Sequence, residues 1–346
     1  MLKSAEKSAD FFILCVFLVS IWLSAVQSTA TRTKSSLLHL NEPTLSLSEG
    51  ICMKSNKILD AAYVMLAAIL WSSMGVFTRH FNSIGLSAFE TTQLRISIGL
   101  IAICLYLLIF HRELLKIKLK DVWCFLGTGI ISLLFFSCCY FKSMEYVSLS
   151  TAAVLLYTAP TFVMILSLFL FKEKLTLNKI AALVLSFVGC ILVSGIGSNI
   201  GSTVGLLLAL GSGFFYSLYS IFGRYAINKG YSSWTIVFYT FLFCAIGCSF
   251  ITDWRLLAST VSTQDGTIWV WILSIGIITG FLPYVFYSKG LERMESSKAS
   301  ILASLEPVGG TLFGVFVFKE YPSVLGIVGI LLVLSAIFVL SIPKKE

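Results

Sequence analysis

Few residues in this chain could do chemistry, and the first of them is Glu306. It sits in a run of apolar and small residues from Ala299 to Phe318 that is long enough to cross a bilayer. A carboxylate at mid-depth in lipid costs a few kcal/mol unless it is neutral, paired or wet. The next residue, Pro307, has no N–H to donate and leaves a carbonyl free one turn earlier. The pair suits proton titration or contact with a polar substrate. The structural alternative is a carboxylate that tethers a neighbouring helix or caps the proline break. Pro160 marks a matching break in an earlier run, with Tyr157 and Thr158 beside it and Ala159 where Glu306 would fall. Those two side chains can bind a ligand or mend the helix, and mending is favoured. Arg95 lies just inside another run, after Glu90 and Gln93. It could hold an anionic group, pair with Glu90 or snorkel to the interface. Trp71 and Tyr216 complete the candidates for a substrate path. Tyr140, Tyr284 and Tyr287 fall near the ends of runs and read as an interfacial belt.

Other chemistries have no support. His39, His80 and His111 are scattered, the nine cysteines form no CxxC pair, and no Ser/His/Asp or nucleotide-binding pattern occurs. Gly211-Ser-Gly213 and Gly309-Gly310 lie within apolar runs, where small residues let helices approach closely. No enzymatic activity, catalytic residue, metal or cofactor is expected.

The elements that position these residues follow from composition and from a repeat. The 346 residues are 57% apolar and only 12% charged, with mean hydropathy +0.92. A soluble domain is about a quarter charged, so this chain belongs in lipid and is all-α. The net charge of +8 reads as loop topology bias rather than nucleic-acid binding. A shift of 147 positions lays 298–320 on 151–173 without a gap. Pro307 falls on Pro160, and Phe318-Lys319-Glu320 on Phe171-Lys172-Glu173. A shift of 145 puts Tyr216-Ser217 on Trp71-Ser72 and Arg224 on Arg79. Ten runs of spanning length follow Ile58, near 59–78, 89–110, 122–141, 149–171, 178–196, 204–226, 234–252, 267–288, 298–318 and 323–342. The predicted fold is ten transmembrane helices in two five-helix repeats, 58–196 and 204–342. Five is odd, so the second repeat enters the membrane from the opposite side. The Lys/Arg bias of the connecting segments places both ends, from Met53 onward, in the cytoplasm. Residues 1–57 are a possible signal-like segment, an extra helix or an upstream mis-start, and Met53 is the expected start.

Leu156-Tyr-Thr-Ala-Pro160 through Phe171-Lys-Glu-Lys-Leu175, and Leu305-Glu-Pro307 through Phe318-Lys-Glu320, resemble the paired signatures of the EamA-type family of the drug/metabolite transporter superfamily. Leu70-Trp71-Ser72 and Arg95 are similar to that pattern too. Tyr321-Pro322 departs from it, where the first copy has Lys174-Leu175. The resemblance covers about 58 to 342. It implies a carrier of small metabolites in the plasma or inner membrane, expected to export by alternating access. An exchanger of nucleotide sugars or phosphorylated metabolites, or a membrane sensor or enzyme on this scaffold, are the other readings. Expected partners are the bilayer and a small-molecule substrate, with no nucleic acid; proton coupling and a homodimer stay open.

Overall fold

A computed structural model describes residues 58–195 and 202–342. The segment 1–57 and the expected start at Met53 lie outside the described residues. Every contact discussed below lies within one compact unit that begins at Tyr63; of the unit before it, residues 58–62 are described and are helical.

The described residues are helical, with no strand among them. Among the described residues nine helices are long and apolar enough to span a bilayer: α1 (Ile58–Ser83), α2 (Ala88–Phe110), α3 (Leu119–Ser143), α4 (Leu149–Phe171), α5 (Leu177–Ser194), α6 (Thr203–Asn228), α8 (Ile268–Arg293), α9 (Ser296–Phe318) and α10 (Val324–Ser341). The tenth, α7 (Ser233–Ser249), is 17 residues long and bends by 98° into a short helix, Trp254–Ser262. Sequence continues that run to 252. The structure stops it at Ser249, because Asp253 Oδ1 accepts from the N–H groups of Arg255 and Leu256, each at 3.0 Å, and starts a new helix. A helix can keep its backbone hydrogen bonds inside itself, as lipid requires. Bulky apolar side chains such as Ile101, Leu105, Leu331, Leu334 and Phe338 point outward.

The packing follows the repeat. α2 packs on α8 and α7 on α3, two contacts that the repeat exchanges. α2–α7, α4–α9 and α5–α10 each pair a helix with its own counterpart. The α5–α10 contact is built from small residues, Ala182 and Gly189 against Gly329 and Ala336. A shift of 147 carries Ala182 onto Gly329 and Gly189 onto Ala336. A methyl at Gly189 would lie 2.8 Å from the carbonyl oxygen of Gly329, so the backbones touch.

Four long helices are interrupted at places that the repeat relates. α4 breaks at Tyr157–Thr158 before Pro160, and α9 at Ser304–Leu305 before Pro307. α3 and α8 carry corresponding π-helical stretches, Gly127–Leu134 and Ile275–Phe281, a distortion found often near functional sites.

Candidate functional site

Glu306 opens the second half of α9, the helix Glu306–Phe313. Its carboxylate therefore stands at the positive end of a half-helix, which offsets part of its desolvation. The break keeps α9 and α5 in touch, with Cys190 Sγ 4.0 Å from the carbonyl oxygen of Ser304. Tyr140, Tyr157, Tyr216, Tyr284 and Arg95 all lie within electrostatic range of Glu306. No ion pair joins Arg95 to Glu306 among the described residues.

Arg95 is 93% buried, so it does not snorkel. Nor does it pair with Glu90. That carboxylate accepts from the N–H of Ser87 at 3.0 Å and of Asp253 at 3.1 Å, capping α2 and anchoring the bend after α7. The Arg95 guanidinium reaches only Met74 Sδ, at 4.0 Å, and its Nε is buried without a hydrogen-bond partner.

Trp71 and Tyr216 occupy corresponding places on α1 and α6 but differ in surroundings. Trp71 is buried against Tyr284, with centroids 5.1 Å apart, and Tyr287, at 5.5 Å. Tyr216 packs on Phe136 at 5.2 Å. The belt reading of Tyr284 and Tyr287 is corrected here: each is 96% buried. Their helix carries them across the interior just past its π-helical stretch. Tyr219, which sequence did not single out, joins them, its hydroxyl 2.8 Å from Ser288 Oγ, while Tyr287 bonds Ser220 at 2.7 Å. A small cavity of about 20 Å³ lies among Trp71, Tyr216, Tyr219, Tyr284 and Tyr287.

Tyr157 packs on Cys190, Val308 and Val333 near Glu306. Thr158 instead mends the α4 break, donating to the carbonyl of Leu155 at 2.6 Å. A methyl on Gly213 would lie 2.7 Å from both that carbonyl oxygen and Thr158 Oγ1, so the glycine lets α6 reach the break. Gly309 does the same for α1, where a methyl would meet Ser72 Oγ. Glu306, Arg95, Tyr157, Tyr216 and, through Tyr284, Trp71 thus form one neighbourhood; Thr158, Pro160 and Pro307 shape it.

The two ends of the molecule differ. A cavity of about 440 Å³ opens at the Glu320 end and runs past Arg79, Leu149, Ser150 and Ala153 to Ser72 and Pro307. At its mouth Arg79 grips Glu320 with two hydrogen bonds, 2.7 and 3.0 Å, and lies 4.3 Å above the Phe318 ring. This pair is more than half exposed. It holds the Glu320 carboxyl below the ordinary carboxylate range.

At the other end Glu173 accepts from the N–H of Ser296 at 2.8 Å and of Ser297 at 3.3 Å, and from the Ser297 hydroxyl, capping α9. Arg224 bonds the Ser296 hydroxyl at 3.1 Å and the Met294 carbonyl. Lys179, 98% buried, stands 3.7 Å from Glu173 and 3.2 Å from Glu295, which also pairs with Lys298 at 2.8 Å. Sequence read Lys179 only as a topology charge. The signal for more was its place six residues after Glu173 with Thr176, the N-cap of α5, between them.

A family model described as "EamA-like transporter family" matches residues 59–195 and 203–342. The chain belongs to this family. The two matched stretches are the two halves described above, and the chain is an integral membrane protein of the transporter class. It is similar to an uncharacterized transporter of Archaeoglobus fulgidus, 26% identical over 282 residues, covering 80% of this chain and 94% of the relative. It is also similar to the uncharacterized transporter YetK of Bacillus subtilis, 24% identical, covering 88% and 93%. A solved crystal structure shares the fold, with TM-score 0.66 and 19% identity, over 82% of this chain and 96% of that one.

Proposed function

We propose that the chain is a secondary or facilitative carrier that exports a small polar or amphipathic metabolite by alternating access, without catalysis. The substrate would lie between the halves at mid-depth, its apolar body against Trp71, Tyr157 and Tyr216 and its charged group against Arg95 or Glu306. The observation that carries this reading is the one-sided cavity. It runs from the Glu320 end to Ser72 and Pro307 at the edge of the Glu306 neighbourhood, while at the Glu173 end capping bonds and ion pairs tie the start of α9 to Glu173 and Lys179. Inverted repeats favour such two-ended behaviour, since each half can adopt the other's conformation. The loop charges support a cytoplasmic Glu173 end and an outward Glu320 end, in a plasma or inner membrane.

The test is uptake by purified protein in liposomes, with pooled amino acids, nucleobases and amphipathic cations, with and without a pH gradient. Gradient-driven accumulation that Glu306→Gln abolishes, while exchange survives, would make Glu306 the coupling group. Equal transport by both proteins under any gradient would make the carrier a facilitator. No flux of any pool in either direction would overturn the reading.

A further inference from the structure

The repeat makes a statement about a contact that is not formed in this conformation. Glu173 and Glu320 are counterparts, each following a lysine in left-handed backbone, Lys172 at φ 55° and Lys319 at φ 62°. Each glutamate N–H returns to a carbonyl six residues earlier, Glu173 to Ser167 at 3.2 Å and Glu320 to Gly314 at 3.1 Å. The two turns are therefore built alike in their backbones. Only the partners differ. Glu173 holds the first two N–H groups of α9, at Ser296 and Ser297. A shift of 147 places these on Leu149 and Ser150, the first two residues of α4. Leu149 and Ser150 line the cavity that Glu320 borders. Their N–H groups are not taken within the described residues: Ser148, the N-cap, serves only Thr151, at 3.1 Å. The first half of α4, eight residues long, thus presents two free donors across an open cavity from a carboxylate whose twin has already closed the equivalent gap.

We propose that Glu320 is the second of two latches. In the alternate conformation it leaves Arg79 and caps α4 at the N–H groups of Leu149 and Ser150 and the Ser150 hydroxyl, shutting the cavity. Glu173 correspondingly releases Ser296 and Ser297. Arg79 then turns to the carbonyl of Val147, as its counterpart Arg224 now holds Met294. The Arg79–Glu320 pair is in this view a parking position that keeps the carboxylate turned away from α4. The latches are unequal. Lys179, Glu295 and Lys298, which surround the closed latch, correspond to Gly326, Ser148 and Thr151 at the open one. The Glu320 latch closes on hydrogen bonds alone, and the conformation with Glu173 engaged is favoured at rest. The proposal rests on the alternating-access reading for its purpose, but its test reads conformation and needs no substrate.

The experiment measures labelling of a cysteine introduced at Ala153, on the cavity wall, by a membrane-impermeant maleimide, above the labelling of the parent chain. Releasing the engaged latch with Glu173→Ala should shut the cavity and slow labelling about tenfold, the scale of one charge-assisted hydrogen bond or more. Adding Leu149→Pro should restore it. That substitution removes one of the donors proposed for Glu320 and puts a ring carbon where the carboxylate would dock. It suits the first helical position after Ser148, whose backbone is extended (φ −65°, ψ 152°). It leaves the Arg79–Glu320 pair untouched. Glu320→Ala should restore labelling equally, and Leu149→Pro alone should label like wild type, which also shows that it folds. A Glu320 that serves only as a surface partner of Arg79 would leave Leu149→Pro unable to restore labelling. Undiminished labelling in Glu173→Ala would overturn the latch pair outright. Either result leaves the liposome flux test standing on its own.

Discussion

The two ends of this protein are copies of one design that have come to differ in charge. Both present a helix end, a left-handed lysine and a glutamate. At the Glu173 end the carboxylate is 90% buried, caps a helix and shares the buried ammonium of Lys179 with Glu295. At the Glu320 end the carboxylate is exposed, and its only ion-pair partner among the described residues is the equally exposed Arg79. The difference teaches that fold symmetry fixes where groups stand, while burial decides what they are worth. Removing one partner of a buried ion pair leaves an uncompensated charge, whereas an exposed pair contributes little.

The largest break in this comparison should come from Lys179→Met. It takes the ammonium away from the buried Glu173 carboxylate, which keeps only its capping bonds, while Glu295 keeps Lys298; the loss should cost about 3 kcal/mol, read as the loss of denaturant stability in detergent. Arg79→Ala at the other end should barely move the same curve. A smaller effect is expected from Glu173→Gln. The amide keeps the shape but weakens charge-assisted capping by about 1.5–3 kcal/mol, which should appear as faster amide exchange at Ser296 and Ser297. Glu320→Gln should leave exchange there unchanged.

The ends can also be told apart by pH. The folded-state pKa of Glu320 is lowered by Arg79. Its contribution is therefore complete above the ordinary carboxylate range, about 4.3, and is lost only as pH falls through the lower folded value. Labelling at position 153 that still changes between about pH 8 and 5, once corrected for the pH-dependent reactivity of its own thiolate, must then report a group other than Glu320. The smallest effect is expected from glycine at the left-handed turns. Lys172→Gly and Lys319→Gly should each relieve about 1 kcal/mol of backbone strain, less the added entropy of the unfolded chain. Two melting curves that shift equally would show that the turns have stayed equivalent while their surroundings diverged.

Much of this was legible in the sequence, for reasons peculiar to lipid. A spanning helix must be long and apolar, so the runs declare themselves, and the gapless register of Phe171-Lys172-Glu173 on Phe318-Lys319-Glu320 reveals the repeat. Glu306-Pro307 stands out because a carboxylate in such a run is costly. Interior aromatics were not legible. Tyr284 and Tyr287 lie as near a helix end as true belt residues do, and only the path of α8 beside α1 and α6 shows that they face inward. Lys179 was hidden for the opposite reason. A cation in a connecting segment is already explained by topology, and its spacing from Glu173 across the Thr176 N-cap was the one local hint that it is 98% buried. Arg95 was visible as an oddity, but its choice among three partners depended on Glu90 being occupied at Ser87 and Asp253.

The contact of α5 with α10 has one more consequence. A helix that packs on its own counterpart meets the axis relating the two halves, and α5–α10 differs from the other such pairs in meeting there backbone to backbone. Gly189 and Gly329 meet there by backbone, with no side chain to change rotamer. The outward faces of these helices, with Val184, Val188, Leu331 and Phe338, are open to lipid. So close a seam should move least in any rearrangement. A spectroscopic reference label belongs there, because its signal should stay constant while probes beside Glu173 and Glu320 trade places.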